Sequence, residues 1–166
     1  MFKQFFSRST NTDFDSSLAA VITSGTLIPM NQIPDPVFAQ GILGTCIGID
    51  PEDGIIYAPA DAIISNISDS LHAIGITCDN GLELLIHLGI DTVKLNGSAF
   101  QCFTKNGKHV KRGQKLMKMD LIQIRDAGYS PLAIICILNA TDFPDTHFTE
   151  KKHTKTGDPM ILKSDI

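Results

Sequence analysis

Two of the chain's five histidines stand where an imidazole gives up its hydration: His87 inside the apolar run LELLIHLG, and His72 at the head of HAIGITCDNG. Between them lies Asn80-Gly81, a strong hairpin signal, because a type I′ turn needs positive φ at both central residues. A two-residue loop pairs Asp79 with Leu82, Ile74 with His87 and His72 with Gly89. Side chains alternate along a strand, so His72 and His87 then share a face as diagonal neighbours, and Gly89 leaves room opposite His72. Any even-length loop preserves this arrangement; an odd one puts the rings on opposite faces.

Two imidazoles converging on one point admit three chemistries: satisfied core histidines, two ligands of a metal, or a nucleophile with a helper. Facing imidazoles repel when protonated unless something binds between them. A zinc site wants a third ligand, which Asp91 can supply, but the chain contains neither H-x-H nor H-E-x-x-H. Covalent phosphoryl transfer asks for less: one ring nitrogen as nucleophile, the other held in place, and a second donor for the charged oxygens. With no Walker or kinase glycine loop, ATP is not the expected phosphoryl source.

The elements that must position these residues read as an all-β antiparallel sandwich or barrel with at most short helices. Short β-branched runs (AAVITSGTLIPM, CIGIDPEDGIIYAP, AIISNIS, PLAIICILN, PMILK) are punctuated by Gly, Pro, Asn and Asp. The best helix candidate is DLIQIRDAG. HVKRGQKLMK (109–118) and HTKTGDPMILK (153–163) share H-x-K-x-G before an apolar strand, the mark of a turn element used twice in a pseudo-symmetric fold. His109 and His153 therefore belong to repeated turns, and His147 to a solvated loop.

At 166 residues the chain can bury a full core without staples. Cys46, Cys78, Cys102 and Cys136 show no ligand or C-x-x-C spacing and read as reduced packing residues. The net charge of −4 with no basic stripe argues against nucleic acid and suits a partner with a basic face. No apolar run approaches a membrane span, and the start lacks a secretory h-region, so a cytoplasmic location is expected. Residues 1–17 read as a flexible tail and 18–166 as the domain. Within the tail, Phe2, Phe5 and Phe6 beside Lys3 and Arg8 allow weak membrane-surface contact through a short amphipathic helix.

The run LLIHLGIDTVKLNG resembles the active-site segment of the glucose-type enzyme IIA of the bacterial sugar phosphotransferase system, and LHAIGI resembles the stretch carrying its second histidine. SGTLIPMNQIPDPVFAQGILG, YAPADAIISNI and GKHVKRGQKLMKMDL extend the resemblance over roughly residues 18–166. It implies an antiparallel β-sandwich with a pseudo-repeat, in which His87 is phosphorylated on Nε2 by the histidine-containing phosphocarrier protein and donates to a cysteine of a IIB domain. His72 is implied to support onward transfer, with the Ser70 hydroxyl behind it. Asp35 and Asp91 are implied as acidic positions flanking the site, and Val37, Phe38, Ile42, Leu43 and Leu85 as the apolar rim of the docking surface. No metal and no cofactor are required in this reading. Departures lie at Asp61-Ala62 and Cys46, in normally Gly-rich segments, and at Leu71 and Leu88, where aromatic or polar residues are common. Two alternatives stay open: a mainly regulatory protein that binds permeases or metabolic enzymes according to its phosphorylation state, and a zinc hydrolase on a related scaffold.

Overall fold

The computed structural model describes residues 17–164, so the N-terminal segment with its phenylalanine cluster lies outside the described residues. The short apolar runs become β1 (Ser17–Ala20), β2 (Gly25–Pro29), β3 (Thr45–Pro51), β4 (Ile55–Tyr57), β5 (Ala62–Ile67), β6 (Ala73–Cys78) and β7 (Glu83–Ile90). They continue as β8 (Phe100–Cys102), β9 (His109–Val110), β10 (Lys115–Met119), β11 (Ser130–Ile137), β12 (Thr146–Phe148), β13 (His153–Thr154) and β14 (Pro159–Lys163). An eight-stranded sheet in the order β13-β2-β3-β11-β7-β6-β5-β9 faces two three-stranded sheets, β1-β14-β12 and β4-β10-β8. Every pairing among the described residues is antiparallel. Ser17, the first described residue, is buried and pairs with Leu162.

The central strands carry apolar residues on both faces. On β7, Leu84, Ile86 and Leu88 are fully buried in the main core, together with Ala133, Ile135 and Ile137 of β11 and Leu116, Met117, Met160 and Ile161 of the small sheets. Full burial of each leucine or isoleucine contributes roughly 1.5–3 kcal/mol. The other face of β3 and β11 supports a smaller cluster of Ile33, Phe38, Cys46, Leu132, Ile134 and Cys136. Residues 30–44 cover it, through a 3-10 turn at Met30–Gln32 and the single helical turn α1 (Pro36–Ala39). The predicted helix is present as α2 (Leu121–Asp126), where the Asp120 side chain caps the Gln123 amide at 3.0 Å.

The repeated H-x-K-x-G segments occupy corresponding places. β9 and β13 form the two edges of the large sheet, and β10 and β14 are the middle strands of the two small ones. Gly113 N–H donates to Ala58 O and Gly157 N–H to Val21 O, both at 2.9 Å, and Gln114 and Asp158 side chains cap the Lys111 and Lys155 amides. His109 pairs with Asp79 at 3.0 Å and His153 meets Thr26 Oγ1 at 3.2 Å, both on the exposed surface. His147 lies exposed in β12 rather than in a loop.

The β6–β7 hairpin departs from the two-residue expectation. Cys78 N–H donates to Leu82 O at 2.8 Å and Gly81 N–H to Cys78 O at 2.9 Å, leaving Asp79, Asn80 and Gly81 as a three-residue loop with Gly81 at φ +97°. His87 accordingly pairs with Ala73, not Ile74. Asn-Gly serves both loop types, because a type I turn followed by a left-handed glycine also wants this dipeptide. Gly81→Ala should cost about 1–2 kcal/mol, the penalty of a Cβ in left-handed backbone, measured as a lower urea midpoint with unchanged slope.

Candidate functional site

Pairing in the centre of the large sheet fixes His87 on its outer face, between Ala73 of β6 and Ile134 of β11. A cover is built over it by local rules. Pro36 opens α1 with its φ already helical, and Asp35 caps the turn by accepting the Val37 amide at 2.9 Å. The turn seats Phe38, 4% exposed, against the outer cluster with its ring 4.9 Å from that of His87 at 56°. His72 arrives from the other side. Its ring centroid is 5.2 Å from that of His87, edge to face at 81°.

With an odd loop, strict alternation would carry His72 to the opposite face. It escapes because β6 begins at Ala73: His72 lies beyond the regular pairing, just after Leu71 in left-handed backbone at φ +59°. Its carbonyl accepts the Leu88 amide at 2.7 Å, and Ser68 Oγ meets its Nδ1 at 3.2 Å while also accepting the Ala73 amide at 3.1 Å. The hydroxyl on His72 is thus that of Ser68, in place of the expected Ser70. Two serines precede His72, and only the bend at Leu71 decides which one reaches it.

Gly89 does not face His72 as the two-residue register required. It sits at φ +85° beside a bulge in the β7–β11 pairing, where an added Cβ would collide with Thr92 Cγ2 and crowd the Ser130 carbonyl. Buried Thr92 closes this turn by donating from Oγ1 to Leu88 O at 2.5 Å. Asp91, exposed and left-handed at φ +61°, and half-buried Asp35 both act electrostatically on His87. Val37, Ile42 and Leu43, in the segment that carries Phe38, are exposed, 65% for Ile42. Leu85 is half-buried against the outer cluster, whereas Phe38 is a buried floor residue instead of part of the exposed rim.

Burial depresses the His87 pKa to about 4; the neighbouring His72 adds to this, while Gly89 backbone, Asp35 and Asp91 oppose it. Burial also lowers His72. Both rings are therefore neutral near pH 7. His87 Nδ1 is buried without a well-formed hydrogen bond. Among the described residues, no three or more His, Cys, Asp or Glu side chains gather as a metal ion would need. No described helix is long and apolar enough to cross a membrane.

Fold and site together define an antiparallel sandwich with a neutral histidine pair on the outer face of its large sheet. Residues 17–143 match the family model described as phosphoenolpyruvate-dependent sugar phosphotransferase system, EIIA 1, and the chain belongs to that family. A glucose-specific EIIA component of Bacillus anthracis is 37% identical over 98% of both chains, and one of Staphylococcus epidermidis is 33% identical over 98% of this chain and 97% of the relative. A glucose-specific EIICBA component of Staphylococcus saprophyticus is 45% identical over 72% of this chain, which spans 18% of that longer protein. The solved glucose permease IIA of Mycoplasma capricolum superposes with a TM-score of 0.82 at 28% identity, covering 90% of this chain and 97% of that one. The chain is a phosphocarrier component of the sugar phosphotransferase system.

The low pKa of His87 has a stability consequence of definite sign. Between pH 6.5 and about 4 the unfolded chain protonates this histidine while the folded protein does not. Folding stability attributable to it is fully present above pH 6.5, is lost as pH falls through that window, and levels off below about 4. The displacement corresponds to about 3 kcal/mol. Urea titrations should show a flatter fall in stability over this window for His87→Gln than for the parent chain.

Proposed function

We propose that His87 Nε2 is the phosphoryl acceptor, taking the group from the histidine-containing phosphocarrier protein and passing it to a cysteine of a IIB domain. The observation that carries this reading is the neutral, half-buried His87 ring with His72 at 5.2 Å and no competing third ligand among the described residues. In the first transfer the Nε2 lone pair forms an N–P bond as the donor's N–P bond breaks. In the second, the IIB thiolate attacks phosphorus and returns the electron pair to Nε2. His72 stabilises the phosphoryl oxygens. In this reading Ser68 Oγ, 3.2 Å from Nδ1, donates to it, so that His72 carries its proton on Nε2 and donates it into the site. The IIB assignment is supported by the fused EIICBA relative.

His87→Ala should abolish phosphorylation by phosphoenolpyruvate, enzyme I and the phosphocarrier, read as acid-labile label. His72→Gln should still accept the group but donate it to the IIB domain at least tenfold more slowly, since its donor is needed most when charge develops on the leaving phosphoryl group. Normal label on His87→Ala would remove the assignment, and unchanged transfer in both directions would return His72 to a structural role.

Asp35 and Asp91, with exposed Val37, Ile42 and Leu43, make an acidic and apolar docking face for a small basic partner. The double variant Asp35→Asn, Asp91→Asn should slow association with the phosphocarrier about tenfold at low salt and flatten its salt dependence. Asparagine keeps the cap on α1, so the Phe38 floor stays in place. Stopped-flow phosphorylation across ionic strength is the measurement; an unchanged rate and salt slope would count against charge-guided docking.

A further inference from the structure

We propose that Cys46 and Cys136 form a thiol–disulfide couple that closes across the large sheet when a hydroperoxide oxidises it. The two residues are direct partners in the β3–β11 pairing, and facing residues of an antiparallel pair lie at Cα spacings that a disulfide spans. Their Sγ atoms are 2.7 Å apart, so the bond forms by a shift of under 1 Å. Neither residue takes part in the phosphoryl chemistry, so the couple stands independently of that reading. Both were expected to be packing residues only, which Cys78 and Cys102 remain.

Access within the pair assigns the roles, since Cys136 is wholly enclosed in the sheet. Cys46 is the attacking sulfur. It is 3% exposed, but it directly follows the surface turn at 40–44, and its Sγ contacts the Gly44 carbonyl at 3.2 Å. Local opening of that turn admits a small oxidant.

The chemistry balances with one hydrogen peroxide. The Cys46 thiolate attacks oxygen, forming S–O as O–O breaks and hydroxide leaves, which gives a sulfenic acid. Cys136, losing its proton, then attacks the Cys46 sulfur; S–S forms, S–O breaks and the oxygen leaves as water. Two thiols and one peroxide yield one disulfide and two waters, with two electrons passing from sulfur to peroxide.

The full chain is treated with hydrogen peroxide, quenched, alkylated with iodoacetamide under denaturing conditions and mapped by mass spectrometry. The expected product is a peptide joining Cys46 to Cys136, lighter by two hydrogens and reversed by dithiothreitol. Because the link closes a loop of 90 residues, the thermal midpoint should rise by roughly 10 °C in the oxidised form. Cys136→Ser and, independently, Cys46→Ala should show neither the link nor the rise. The proposal is overturned if both thiols stay alkylatable after Cys102 is fully oxidised, if either links to another cysteine, or if the link forms with no rise in midpoint. The parent chain alone suffices for each of these outcomes.

Discussion

The interaction on which the rest of the site depends is the burial of the His87 imidazole among apolar neighbours on the outer face of the sheet. Ala73 and Ile134 flank it within the sheet and Phe38 covers one side. This desolvation keeps the ring neutral near pH 7. Asp35 serves two ends through one carboxylate. Its cap on the Val37 amide holds the turn that seats Phe38, and its charge partly offsets the desolvation of His87.

Such a site needs a stiff platform, because donor and acceptor atoms must meet within fractions of an ångström. The duplicated frame provides it. β7 lies near the middle of the large sheet, paired on both sides, with Leu84, Ile86 and Leu88 anchored in the main core. Strands so placed open only on near-global unfolding, whereas the residues reaching His87 from outside the ladder, His72 and those of α1, come from turns. A rigidly held imidazole is therefore approached by adjustable neighbours.

Apolar exposure in the segment carrying Phe38 has a similar logic. Ile42 and Leu43 stay on the surface while Phe38, from the same segment, turns inward. One short stretch of chain thus supplies both the ring against the His87 imidazole and exposed apolar side chains.

Much was legible in the chain before any tertiary information. Short β-branched runs between turn residues named the strands and the all-β class, the repeated H-x-K-x-G turns announced the pseudo-symmetry, and DLIQIRDAG marked α2. These features depend on sterics and hydrogen bonds between near neighbours, which the residues carry with them wherever the chain goes. The motif around His87 was equally local. Parity of the Asn80-Gly81 loop was not legible, since the dipeptide satisfies an even or an odd loop, and a one-residue change inverts the predicted face of every residue beyond it. His72 meets His87 anyway because Leu71 turns the chain out of the ladder. Ser68 rather than Ser70, Phe38 as floor rather than rim, and Cys46 against Cys136 at a separation of 90 residues are likewise outcomes of packing. Which distant side chains touch is decided by sheet register and close packing, interactions that come into being only when the whole chain has folded.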